Sequence, residues 1–525
     1  MRLTRLLAVA AMTGVVQFGC TTKFNTATDA HTRGNFALAA AEIDKSVPTP
    51  KDNAGKTQIQ AAHDKDRMWA GLEKAKMLSD AGRWREAAKV FHAVQRESEF
   101  LRHIESAYAS NPADPANWDF GQFVTDAGQL VVGADQTPYL LQPHEYILCN
   151  TYLALDMLLA GSAAPEIKLD LGAAAKEARR AQQFSLEDLA SAGYERKAPP
   201  ESRMDGKIGS AMPTGMSGAF KVGQVFTLGD FTTARNEMRN AISEARAAGA
   251  ANPAVAFSSV VQWAVAMRAT KSTDALVASA SIRSETAAHQ LAKHMAELAR
   301  APAKYPFVLV LVDAGMGPTR RAFNVRLPIV IPNVGSAYFR AVYPALQFRT
   351  EARPYDIRAG AAGSTETVAV VDSIDAITAL NFQRREAELW WLPTLRAGLR
   401  TAASVAAQIA QAKSEDKTIS ILAQLGSVVV AEAEQPDLRI WSTLPATQHA
   451  AIVRRPTDGK LRVDLAGGGV TGGLDVDVPD GSSIVYVRAL TPTIHTAKVA
   501  SLITAPSAGA KQASKPDATA KPGRS

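Results

Sequence analysis

The sequence predicts an α+β protein: an N-terminal α-solenoid of paired helices, then an antiparallel β-domain carrying a helical insertion. Three observations carry this reading. Helical periodicity in an alanine-rich context runs from Gly34 to about Ala301. Within it, a short glycine–aromatic–alanine pattern returns three times. After Pro302 the pattern turns to alternating apolar residues broken by Asp-Gly turns. A chain of 525 residues exceeds one hydrophobic core, so more than one structural unit is expected.

The chain opens with MRLTRLLAVAAMTGVVQFGC. A short basic start precedes an apolar run from Leu6 to Val16, too short to span a bilayer permanently. This is the form of a secretory signal peptide, assigned to 1–19. Cys20 directly after Gly19 resembles a bacterial lipobox, in which the cysteine becomes the acylated first residue of the mature chain. Gln17 and Phe18 depart from the usual aliphatic and small residues there. Residues 20–33 read as a polar tether. Thr21, rather than an acidic residue, resembles the default for delivery to the outer membrane. The expected location is therefore the cell outer membrane, lipid-anchored through Cys20 and facing the periplasm.

The helical unit is assigned to 34–302. GNFALAAAEID, AGRWREAAKVFHAV and LGDFTTARNEMRNAI share Gly-x-aromatic-x-x-Ala, with Gly34, Gly82 and Gly229 leading. Glycine ends one helix in a left-handed conformation, the aromatic packs over the turn, and alanine marks a close helix crossing. The spacing resembles the second helix of a tetratricopeptide repeat, so the solenoid is TPR-like, with insertions after Pro112 and over 197–217. The helix at 143–162 contains His144, Glu145 and Cys149. His-Glu-x-x-His would need histidine at 148, which is leucine, and His289 and His294 diverge on a helix, so no metal site is expected. Cys149 lies in an apolar pattern and reads as an inert buried thiol. Arg179 and Arg180 are candidate contacts for a partner's carboxylates.

The β-unit is assigned to 303–495, with a helical insertion at about 373–435 and a disordered tail over 496–525. FVLVLVDAGMGPTRR at its start admits two readings, a phosphate-binding turn or a hairpin. A dinucleotide fingerprint needs a third glycine where Arg320 stands, and a strand pattern, AFNVRLPIVI, follows instead of a helix. Gly315 and Gly317 are therefore expected to form a hairpin loop, with Arg320 and Arg321 at its tip as candidate partner contacts. HAAIVRRPTDGKLRVDL and GLDVDVPDGSSIVYVRAL each read as a hairpin across Asp-Gly. Trp441 in PDLRIWSTLP reads as a core plug. Asp372 and Asp375 sit at a strand-to-helix junction, where Asp375 and its neighbour Ser373 read as helix caps.

The charge balance excludes some classes. The net charge of +7 arises largely at the two ends of the chain. No basic block interleaved with aromatics is present, so nucleic-acid binding is not expected. No Gly-x-Ser-x-Gly elbow or P-loop occurs, so neither enzyme activity nor a cofactor is expected.

Several of these pieces, in order, resemble a family of uncharacterised bacterial TPR-like outer-membrane lipoproteins: Gly-Cys at the N-terminus, MLSDAGRWREAAKVF, NTYLALDMLLAG with KEARRA, VLVDAGMGPTRR with VRLPI, VYPAL and DLRIWSTLP. That resemblance implies a cell-envelope scaffold or adaptor with protein partners, and no catalytic residues. The alternative is a carrier or secretion component for lipid or polysaccharide; a cell-wall hydrolase ranks third.

Overall fold

A computed structural model describes residues 24–49, 64–109, 139, 141–160, 306–331, 335–349, 353–354, 356–375, 377–378 and 436–503, with isolated positions at 58, between 257 and 298, and between 382 and 405. Five α-helices are described: α1 (Asn25–Thr32), α2 (Phe36–Ser46), α3 (Arg67–Asp80), α4 (Trp84–Ala109) and α5 (Pro143–Ala160). The strands are β1 (Phe307–Ala314), β2 (Met316–Ile331), β3 (Gly335–Arg349), β4 (Asp356–Ala361), β5 (Ser364–Thr367), β6 (Ala369–Ser373), β7 (Thr447–Arg454), β8 (Lys460–Gly467), β9 (Val470–Asp477), β10 (Ser482–Ala489) and β11 (His495–Ile503).

The strands form three sheets: five strands in the order β11-β10-β1-β7-β6, four in the order β5-β4-β8-β9, and the ribbon β2-β3. This overturns the expected α-solenoid followed by an antiparallel β-domain. The described residues are mostly β, and the helices form one layer on the five-stranded sheet. The reason is visible in α3, where Met68 and every residue from Ala70 to Asp80 are buried. A helix buried all round is a filling between layers and presents no open concave face.

β1 sits at the centre. It pairs parallel with β10, from Val308 opposite Ser483 to Ala314 opposite Ala489. It pairs antiparallel with β7, from Phe307 opposite Arg454 to Ala314 opposite Thr447. The sheet is thus mixed, and β1 is buried along its whole length, as a strand covered on both faces must be. Phe307, Leu309 and Leu311 join the core shared with the helices. Val308, Val310, Val312 and Ala314 join a second core, with Ile357, Leu461, Val463, Leu465 and Val476 of the four-stranded sheet. Period-two alternation divides the strand between the two.

The glycine turns have a different job from the one expected. Gly315 has φ 69°, but β1 and β2 do not pair, because β2 pairs with β3. Gly459 (φ 71°) and Gly481 (φ 89°) likewise lie where the chain passes between the two stacked sheets, from β7 to β8 and from β9 back to β10. The hairpin in this region is β8–β9, turning at Gly468 and Gly469 with φ 57° and 77°. Gly34 and Gly82 do end helices in the left-handed region, at φ 77° and 80°. Two further expectations change. Residues 25–32 of the expected tether are helix α1, and residues 496–503 of the expected tail complete β11, which pairs with β10.

Candidate functional site

Where helices meet the five-stranded sheet, each element brings a polar side chain to one place. His31 comes from α1, and Lys76 with Asp80 from one face of α3. Tyr152 and Asp156 come from α5. Asp313 follows the apolar run of β1, Gln448 stands on β7, and Tyr486 and Arg488 lie two apart on β10, on the same face. All are buried. Lys76 Nζ is bonded to Asp80 and lies 3.2 Å from Asp313 Oδ2. Tyr152 and Tyr486 donate to Asp313 Oδ2 at 2.7 and 2.6 Å. Gln448 Nε2 donates to Tyr152 Oη at 3.0 Å. Arg488 reaches Asp80 Oδ2 (3.2 Å), the carbonyls of Asp313 (3.2 Å) and Gly315 (2.7 Å), and Met316 Sδ (3.2 Å).

Two cations thus face two carboxylates out of water, where an ion pair is retained only with full hydrogen bonding. Burial alone would raise Asp80, but Lys76, Arg488 and the His31 bond together hold its carboxyl well below the usual range. Burial lowers His31 to about 4, against the opposing pull of Asp80. Asp80 is therefore ionised and accepts, so neutral His31 carries its proton on Nε2, 2.8 Å away. Asp156, bonded to Ser79 Oγ at 2.6 Å, is pushed well above the usual range, mainly by burial. This cluster joins α1, α3, α5, β1, β7 and β10. Its two cations pair with Asp80 and Asp313, which makes it a fastening between layers, while His31 Nδ1, Asp156 Oδ2 and Gln448 Oε1 are buried without a hydrogen-bond partner.

A second buried set holds the chain entering β7. Glu145 on α5 accepts from Tyr139 Oη (2.5 Å), Gln142 N (2.8 Å) and Trp441 N (3.2 Å). Glu73 on α3 accepts from Ser442 N at 2.6 Å. Trp441 fills the space between, its ring 5.8 Å from Phe91 and 6.0 Å from Tyr152. Asp372 accepts from Phe257 N at 2.7 Å, and Asp375 pairs with Arg353 at 2.6 Å. Cys149 is buried, its Sγ 3.7 Å from Phe91 O.

Of the site residues singled out by sequence, Arg320 and Arg321 are described, and both lie on β2. Arg320 is not at a loop tip: it lies part-buried within β2, with Nη1 3.4 Å from Asp437 O and its guanidinium 6.0 Å from the Phe382 ring centre. The chain turns at Gly315, five residues earlier, which is why the expected tip is absent. Arg321 is exposed on the same strand. Cys20, Arg179 and Arg180 lie outside the described residues. Among the described residues no cluster of His, Cys, Asp and Glu suits a metal ion, and no helix is long and apolar enough to cross a membrane.

The candidate contact surface lies on the outer face of the four-stranded sheet. There a shallow concavity of about 490 Å³ is lined by Asp356, Arg358, Arg462, Asp464, Thr471 and Gly473, among others. The strand period points Leu461, Val463 and Leu465 inward and leaves Arg462 and Asp464 outside. Arg358 stands opposite Asp464 across β4–β8, and Arg462 opposite Asp475 across β8–β9. Arg462 Nε bonds Asp464 at 2.7 Å. Arg358 Nη2 touches only Thr365 O at 3.4 Å among the contacts described, so most of its donors face outward. The alternating charges of LRVDL and LDVDV carry the signal in sequence; the opposing strand β4 does not announce itself.

No family model, curated protein or solved structure matches the chain.

Proposed function

We propose that the chain is a lipid-anchored scaffold or adaptor of the bacterial cell envelope, attached through Cys20 to the outer membrane and facing the periplasm. It would hold a protein partner on the outer face of the four-stranded sheet. The supporting observation is the row of outward charges on β4, β8 and β9 around a shallow concavity, on a sheet whose other face is sealed in the core. A rigid, solvent-open surface of alternating sign suits an extended partner segment of complementary charge, whereas small-molecule sites enclose most of their ligand. The described helices pack on the five-stranded sheet, and the outer face of the four-stranded sheet is the described surface that this reading assigns to the partner. The N-terminal motif and the ordered resemblance to TPR-like outer-membrane lipoproteins support the anchoring.

The test is photo-crosslinking in intact envelopes from a benzophenone amino acid at Thr471, with Lys45 on α2 as the control position. A discrete adduct from Thr471, lost with Arg358→Glu, is expected. No Thr471 adduct beyond that of the control would refute the assignment.

A further inference from the structure

We propose that the folded body stands directly on the bilayer, with the corner made by Phe24 and Trp69 against the lipid headgroups. This rests on acylation of Cys20 under the proposed function. Helix α1 begins five residues after that cysteine and is built into the core. Ala27 and His31 are fully buried and Ala30 nearly so. His31 bonds Asp80, and the Phe24 ring meets Trp69 edge-on at 5.2 Å. Behind α1, Gly34 sits so close to Ile494 that an added Cβ would lie 2.1 Å from its Cγ2. The helix therefore cannot swing out as a leash.

Four peptide units separate Cys20 from Phe24, which span at most about 14 Å when fully extended. An acyl chain buried in hydrocarbon holds its cysteine at the headgroup boundary, so Phe24 stays within little more than one helix diameter of the lipid. Phe24 and Trp69 are both half-buried. The Trp69 indole N–H is already satisfied by Ile440 O at 2.8 Å, leaving an aromatic surface of the kind that settles at headgroup level. Arg358 and Arg462 lie on the outer face of the four-stranded sheet, on the other side of the five-stranded sheet from α1, and stay open to the periplasm.

The experiment uses the acylated full chain in phosphatidylethanolamine–phosphatidylglycerol vesicles. Nitroxide labels are placed through Asn25→Cys or, as the remote control, Asp458→Cys; buried Cys149 does not label. The label at 25 is expected to lose accessibility to a nickel chelate severalfold and gain accessibility to oxygen on vesicle binding, while the label at 458 is unchanged. A long glycine-serine linker inserted after Lys23 should erase the difference. An acylated Cys20 in the mass spectrum with a label at 25 as accessible as that at 458 overturns the standing arrangement alone. An unmodified Cys20 overturns it together with the anchoring on which it rests.

Discussion

Replacing His31 with glutamine should flatten the acid dependence of stability. Burial lowers the His31 pKa from 6.5 to about 4. As pH falls, the unfolded chain takes up this proton first, so the His31 contribution is complete above about pH 6.5 and is lost as pH falls toward about 4. The full shift corresponds to roughly 3 kcal/mol at 1.36 kcal/mol per pKa unit. Between about pH 7 and about pH 5 the expected loss is about 2 kcal/mol. Other buried groups also shape the acid dependence. His144 and His449, lowered by burial to about 3 and about 4, add to the loss. Glu73, Glu145 and Asp156, raised by burial, take protons earlier in the folded chain and oppose it. The difference between parent and His31→Gln cancels these. Glutamine also keeps an uncharged donor toward Asp80, whose charge is balanced by Lys76 and Arg488. Urea unfolding of both proteins at the two pH values is the assay. Parallel curves, with the same stability difference at each pH, would refute a buried neutral His31.

Arg488→Met should cost about 3–5 kcal/mol, the usual loss when one partner of a buried ion pair is removed, because Asp80 loses a counter-charge and the Gly315 carbonyl its 2.7 Å donor; a urea midpoint near the parent's would contradict the fastening role. Trp441→Ala should lose about 3–5 kcal/mol, as large buried aromatics do, measured by the same titration. Gly472→Ala would place a methyl 1.9 Å from Pro492 O, a backbone atom, so β9 must shift; a loss of about 1–3 kcal/mol is expected, with cross-strand amide contacts between β8 and β9 weakened in nuclear Overhauser spectra.

Local features were legible in the sequence where local physics decides them. Gly34 and Gly82 take the left-handed conformation because the residue after a helix end needs it, and VLVLV is a strand because nothing else suits five β-formers in a row. The layer arrangement was not legible. Asp458-Gly459 and Asp480-Gly481 make tight turns, but a tight turn joins sheets as readily as strands of one sheet, and the neighbours of β1 are set by packing far along the chain. The buried ionic cluster was also hidden. Lys76 and Asp80 stand four apart on α3, a spacing usual for a solvated helix pair. Only Asp313 and Arg488, charges inside otherwise apolar strands, hint that a buried partner is required. The outward row on β8 and β9 is readable as alternation, but its partner strand β4 contributes only six residues.

The central position of β1 bears on how the chain reaches its native state. Its parallel partner β10 lies 175 residues further along, and the antiparallel neighbour β7 also arrives late. Until both are synthesised and delivered, an eight-residue, almost wholly apolar strand has neither edge covered. Such long-range pairing slows folding and leaves adhesive strand edges exposed meanwhile. A chain built this way depends on being kept unaggregated through synthesis and transport, and truncation anywhere before β10 should leave insoluble material rather than a smaller folded unit.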